Sequence, residues 1–280
     1  MSAADAQWVA VRVESADPNA LASAMAALFE AGAEGVQELA GALVTHVESQ
    51  ETADRLLCAA LAAAPAVLVT TEPVARVDWT EAWKSGIHAQ ELGAIVIAPP
   101  WLADTYPPER VVVIEPGMAF GTGEHATTRG VVRLMQRVIR AGDRVADLGA
   151  GSAVLSIAAA KLGASHVAAI ELDHDAIENA EQNVARNGVA DRVVVIEGDA
   201  GVLLPLVAPV ALILANIISS VLEPLLPAMA AGLDTGGHAI LSGILLEEAP
   251  AMREALSRGG WRALAEDSED IWWSATVARD

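Results

Sequence analysis

Apolar residues alternate with small or polar ones through Trp8-Val9-Ala10-Val11-Arg12-Val13, the period of a strand with one face buried. The start signal Asp17-Pro18-Asn19 is followed by Leu21, Met25, Leu28 and Phe29 at helical spacing, which predicts a helix over 20–30. Two short strands are predicted at 33–39 and 42–47 with Gly41 as turn residue, then a helix over 52–64 and a strand at 67–71. The order β-α-β-β-α-β predicts a ferredoxin-like α+β domain over 1–72, which we read as a recognition or packing domain. Periodicity is lost over 73–93, a linker whose short helical stretch places Trp79 and Trp83 four apart on one face, which suits interdomain packing, with a substrate-stacking platform as the alternative. From 94 the pattern becomes apolar runs alternating with helical segments. Strands are predicted at 94–98, 111–115, 144–148, 166–171, 193–197, 211–216 and 238–242. This alternation predicts a mostly parallel sheet covered on both faces, an α/β domain over 94–280. Trp272 and Trp273 alternate within 271–277, which predicts a terminal antiparallel strand with one ring in the core.

The chemistry is concentrated where Arg144-Val145-Ala146-Asp147-Leu148 breaks into Gly149-Ala150-Gly151-Ser152-Ala153 and a helix follows. Small residues let a ligand approach the backbone, and the carboxyl edge of a parallel sheet is where such proteins bind ligands. A dinucleotide fingerprint needs a third glycine where Val154 stands, which disfavours a nicotinamide-dependent oxidoreductase. Asp147, before the first glycine, repels a pyrophosphate but suits a cationic amino-acid group. S-adenosylmethionine has such a group and no phosphate. Glu171 ends the next strand about 20 residues on, the spacing that grips ribose hydroxyls. Asp199, after the following strand, lies where an adenine amino group is expected, with a solvent-facing loop acid as the alternative. Asp173 and Asp175 read as N-terminal helix residues.

Charge narrows the partners. With 37 acidic and 17 basic side chains the formal net charge is −20, which disfavours direct contact with a nucleic-acid backbone and suits a basic partner, although acidity also serves solubility alone. No run of about 18 apolar residues is long enough to span a bilayer, and Met1-Ser2-Ala3-Ala4-Asp5-Ala6 lacks a secretory pattern, so a cytoplasmic protein without membrane contact is expected. Cys58 stands alone and no Cys/His spacing suggests a metal.

Glu115-Pro116-Gly117-Met118-Ala119-Phe120-Gly121-Thr122-Gly123-Glu124-His125-Ala126-Thr127-Thr128, with the Asp-Leu-Gly-Ala-Gly turn, Leu214-Ala215-Asn216-Ile217 and Leu241-Ser242-Gly243-Ile244, resembles the bacterial PrmA-type enzymes over nearly the whole chain. The resemblance implies a class I Rossmann-like methyltransferase that transfers methyl groups from S-adenosylmethionine to lysine side chains and the N-terminal amine of large-subunit ribosomal protein eleven. It implies that the N-terminal domain docks this substrate. By motif position Thr128, Gly149, Glu171 and Asn216 are implied cofactor contacts, joined by Asp147, Gly151 and Asp199 from the residue pattern, and Phe120, Gly121 and Thr122 close over the cofactor. Asn216, at a strand end, is the candidate catalytic residue, with a helix cap as its plainer role. Three departures stand out: Ala153 where the family usually has glycine, Glu171 for the usual aspartate, and Glu124-His125-Ala126 in a loop often containing proline. Altered cofactor affinity is the expected effect. The alternatives are a small-molecule N-methyltransferase and a non-catalytic cofactor-binding module.

Overall fold

The computed structural model describes residues 8–74, 87–115 and 123–279. Trp79 and Trp83, and the loop residues Phe120, Gly121 and Thr122, lie outside the described residues. Contacts divide the chain into two units, Met1–Gly86 and Ile87–Asp280.

In the first unit β1 (Trp8–Glu14), α1 (Pro18–Glu30), β2 (Gln37–Leu39), β3 (Ala42–Val47), α2 (Gln50–Ala63) and β4 (Leu68–Val74) form an antiparallel sheet of order β2-β3-β1-β4 with two helices. Asp17 caps α1 by accepting from Asn19 N at 2.9 Å, and Ser49 caps α2. The alternation in β1 turns Val9, Val11 and Val13 inward against Leu28, Leu43 and Leu56.

The second unit contains β5 (Gln90–Leu92), β6 (Ile95–Ala98), α3 (Pro100–Ala103), β7 (Val111–Val113), α4 (Ala126–Val138), β8 (Arg144–Leu148) and α5 (Val154–Lys161). There follow β9 (His166–Glu171), α6 (His174–Arg186), β10 (Val193–Glu197), α7 (Ala200–Val207), β11 (Val210–Asn216), α8 (Ser219–Gly232), β12 (Leu233–Leu245), α9 (Ala249–Arg258), β13 (Trp261–Glu269) and β14 (Trp272–Arg279). Seven strands form one sheet of order β10-β9-β8-β11-β12-β14-β13. The first five are parallel, and β14 runs antiparallel between β12 and β13. Both faces are covered. Helices α4, α5 and α6 pack one core, with Val145, Leu212 and Leu214 from the sheet, and α7, α8 and α9 pack the other, with Ala146, Leu148 and Ile213.

One expectation needs correcting. The strands predicted at 94–98 and 111–115 are not part of the large sheet: β6 and β7 pair with β5 in a separate three-stranded sheet. The edge of β7 is taken by a side chain rather than a strand, because Val113 N donates to Asn187 Oδ1 at 2.8 Å and Asn187 Nδ2 donates to Val113 O at 2.7 Å. The asparagine amide copies a ladder bond and ends the pairing there.

Topology places the site. From β8 the chain builds outward through β9 and β10, then crosses back to β11 on the other side of β8. Loops leaving the carboxyl ends of β8 and β11 therefore diverge and leave a crevice between them, the usual ligand position in open α/β sheets. Asp147 to Gly151 and Asn216 are at those two ends.

Candidate active site

The turn after β8 uses glycine for space. Gly149 has φ +73°, and a Cβ there would come within 2.5 Å of Ile217 Cγ2, so the turn leaves room for the Ile217 side chain at this point. Its N–H and that of Ala150 donate to Ile170 O at 2.8 and 3.1 Å, which ties the turn to β9. Ala153, at the start of α5, also sits in the left-handed region at φ 63°. For alanine this costs about 1–2 kcal/mol, so its departure from the family's glycine is felt in the backbone as well as in one methyl.

Glu171 is held by the turn it faces. Its Oε2 accepts from Gly151 N at 2.7 Å and its Oε1 from Asp173 N at 2.9 Å. Each oxygen retains a lone pair for a ligand hydroxyl. Gly149, Ile170, Glu171, Gly198, Asp199 and Ile217 are among the residues lining a cavity of 370 Å³, a size within the usual range for small-molecule sites. Asp199 stands on its wall and also caps α7, accepting from Val202 N at 3.1 Å. Asp173 caps α6 as expected.

Asp147 is fully buried, and Ser156 Oγ donates to its Oδ2 at 2.7 Å. Burial pushes the carboxyl up to about 7; the bonds from Ser156 oppose this, and the charge of Glu171 adds to it. The folded form therefore holds a proton that the unfolded chain releases above its ordinary value of 3.8. Stability of the ligand-free protein is expected to fall as pH rises between about 4 and 7. Asp147→Asn should flatten that slope and stabilise the protein at pH 8 by on the order of 1 kcal/mol, measured by calorimetric melts at pH 5 and 8. An unchanged slope would show that Asp147 does not carry the titration.

Asn216 ends β11. The cap of α8 is Ile218, so the capping role does not apply to Asn216. Register pairs Leu214 with Asp147 and Asn216 with Ser242, so Asp147 and Asn216 share the face of the sheet under α4. Ser242 Oγ contacts Thr127 O at 3.3 Å and Ser274 Oγ at 2.7 Å, which sets the first turn of α4, with Thr128, over this polar row. Thr128 Oγ1, Asp147 Oδ1 and Asn216 Oδ1 are all buried without a hydrogen-bond partner. Such atoms are costly unless something satisfies them.

Three features were not visible in the sequence. Gly243, φ +80°, lies so close to Ile217 that a Cβ would meet its O at 2.6 Å and its C at 2.8 Å. α4 is anchored by Arg129 to Glu269 at 2.5 Å and by Arg133 to Asp267 at 2.5 Å and Glu269 at 2.7 Å, while Arg129 also donates to Glu124 O. The His125 ring caps α4 through Thr127 N and packs edge-on against Trp272, centroids 5.0 Å apart. Its neighbour Trp273 is fully buried and donates to Glu266 Oε2 at 2.9 Å.

The profile of the family described as Ribosomal protein L11 methyltransferase (PrmA) matches residues 6–280. The chain is 41% identical over 202 residues to the ribosomal protein L11 methyltransferase of Thermus thermophilus, covering 72% of this chain and 77% of the relative. It is 37% identical over 255 residues to that of Pelotomaculum thermopropionicum, covering 89% and 81%. Among solved structures, the ribosomal protein L11 methylase of Lactobacillus delbrueckii subsp. bulgaricus aligns with a TM-score of 0.62 at 30% identity, over 69% of this chain and 99% of that one. The crevice, its carboxylates and its unpartnered polar atoms thus occur in a chain that belongs to the ribosomal protein L11 methyltransferase (PrmA) family.

Proposed function

We propose that this enzyme transfers methyl groups from S-adenosylmethionine to lysine side-chain and N-terminal amines of ribosomal protein L11, with Asn216 in contact with the reacting amine. The observation that carries the site assignment is the set of buried, unpartnered atoms on Thr128, Asp147 and Asn216 beside a glycine turn. The described residues lining the adjoining cavity include Glu171 and Asp199 but no lysine or arginine. This donor set suits hydroxyls and a cationic amino-acid group and offers nothing to neutralise a pyrophosphate. S-adenosylmethionine supplies, when bound, an electrophilic methyl group on a sulfonium.

The chain's own residues position and desolvate. Glu171 is placed to accept from ribose hydroxyls and Asp199 from the adenine amino group, while Thr128, Gly149, Asp147 and Gly151 hold the amino-acid end. Phe120, Gly121 and Thr122 belong to the same proposed site. A lysine with an ordinary pKa of about 10.4 must lose its proton, at a cost of about 4 kcal/mol near pH 7.4; an α-amine near 8 needs roughly 1. Desolvation beside the polar row lowers the lysine value, and Asn216 Oδ1 accepts from the neutral amine and aims its lone pair. No dedicated base is required.

We assign substrate docking to an N-terminal domain, residues 1–72, whose described residues form a core of their own, and the transfer to residues 94–280, with 73–93 as a linker. An acidic chain of net charge −20 suits a basic protein rather than nucleic acid or an anionic membrane. No helix among the described residues is long and apolar enough to cross a membrane. We place the reaction in the cytoplasm. The test is calorimetric titration with S-adenosylmethionine, with NAD as control, followed by addition of L11 and mass analysis. Saturable binding of the first alone and mass gains in methyl units are expected; binding of NAD instead would refute the cofactor, and binding without transfer would refute the substrate.

A further inference from the structure

Four chain segments meet at the carboxyl edge of the large sheet around Asn216. The backbone of Ile217 lies against Gly243, and Ser219 Oγ donates to Glu248 Oε1 at 2.7 Å, which joins the loop after β11 to the loop after β12. Leu246 N donates to Ile271 O at 2.8 Å, which joins that loop to the β13–β14 turn. Trp272, beside Ile271, carries the His125 ring. Together they make a continuous rim next to the proposed reaction centre.

The rim has an unusual surface. Ile218, Leu246 and Ile271 are 61%, 43% and 60% exposed, large aliphatic side chains standing in water on three adjoining loops. A single exposed aliphatic residue needs no explanation, but a cluster beside a catalytic centre marks a contact surface. Between them Glu247 and Asp270 are exposed, and neither is in an ion pair among the described residues. The nearby cations are already engaged: Arg129 and Arg133 are bound by Glu269 and Asp267. The rim therefore offers aliphatic knobs and two exposed carboxylates outside the ion pairs of the described residues, one of them, Asp270, near the His125 ring.

We propose that Ile218, Leu246 and Ile271, with Glu247 and Asp270, form a docking collar for the segment of the protein substrate that carries the target amine. This rests on the methyl-transfer reading above. A lysine-bearing segment matches the collar in both parts, since its methylene stems cover apolar side chains while its ammonium groups seek carboxylates. The arrangement also separates two protonation states in space. A charged amine is stabilised at the wet, acidic rim, and the neutral amine is the form that fits the desolvated row at Asn216. The collar thus gathers cations, and the ammonium gives its proton to solvent at the rim before the neutral amine moves inward.

The test uses the full chain and two double variants, Leu246→Ser/Ile271→Ser and Glu247→Gln/Asp270→Asn. Asparagine suits the left-handed φ of 54° at 270. Each pair is expected to raise KM for L11 about tenfold with kcat changed less than about twofold, and the charge-neutral pair should lose much of the salt dependence of KM. Melting temperature and calorimetric affinity for S-adenosylmethionine should match the unaltered enzyme. Unchanged KM in both pairs would overturn the collar, as would an equal loss of cofactor affinity. A sedimentation shift from dimer to monomer in the serine pair would assign the surface to a second copy of the chain and overturn it too. Failure of the unaltered enzyme to methylate L11 at all would remove the functional reading itself, and shows before any variant is made.

Discussion

Replacing Asn216 by alanine is expected to lower kcat on L11 by about 10²-fold or more, with a much smaller change in affinity for S-adenosylmethionine. The side chain stands at the carboxyl end of β11, is not the cap of the following helix, and has a buried oxygen without a partner. A structural asparagine would have that oxygen bonded. A buried acceptor left unsatisfied is available to a bound amine donor, and its removal affects an aligned state more than a bound one. Single-turnover transfer followed by mass, alongside calorimetry, separates the two. Asn216→Asp is a useful companion, because it keeps an acceptor but adds a charge near Asp147, which burial already disfavours as an anion. Undiminished turnover in Asn216→Ala would remove the residue from the site.

Gly243→Ala is expected to cost about 2–4 kcal/mol, through a left-handed backbone and a clash with peptide atoms that cannot swing aside. The new Cβ would meet O, C and N of Ile217 at 2.6, 2.8 and 3.0 Å. Gly236, on the same strand, provides the control: its φ is +79°, yet nothing lies within 4 Å of the corresponding Cβ. Gly236→Ala should cost only the backbone part, about 1–2 kcal/mol. Calorimetric melts compare the two, and methyl transfer should fall only in Gly243→Ala, because pushing Ile217 displaces Asn216. Equal destabilisation would mean that contact with Ile217 is unimportant.

Much of this architecture was legible in the chain because it is written in local periods. Short apolar runs mark β8 (Val145, Ala146, Leu148), β9 (Val167 to Ile170) and β10 (Val193 to Ile196), and the predicted bounds 144–148, 166–171 and 193–197 are the observed ones. β13 was missed for the opposite reason. Trp261–Glu269 is an edge strand with one exposed face, and its sequence WRALAEDSE has neither an apolar run nor clean alternation. The three-stranded sheet is missed because β6 and β7 look like any buried strands; nothing local in the sequence shows that β7 is met by the amide of Asn187, 74 residues from Val113. The site divides in the same way. Asp147, Gly149 and Glu171 are candidates because strand ends and turns carry a sequence signature, and Asn216 because of the resemblance. The grip of Glu171 on Gly151, the approach of Gly243 to Ile217 and the arginine anchors of α4 had no such signature, since each joins segments distant in the chain and appears only when the sheet is assembled.

Those anchors give the site an order of completion during synthesis. The cavity walls come from residues 149–225, contiguous enough to close as soon as β8 to α8 have emerged. Arg129 and Arg133, however, find their carboxylates 140 and 134 positions later, on β13. Contacts so far apart form late and only after most of the chain is ordered. The helix that carries Thr128 is therefore secured by a strand made after all the residues lining that cavity, so the proposed donor pocket precedes the geometry that uses it. A partly made chain has the cavity before it has the anchored helix that completes the proposed site.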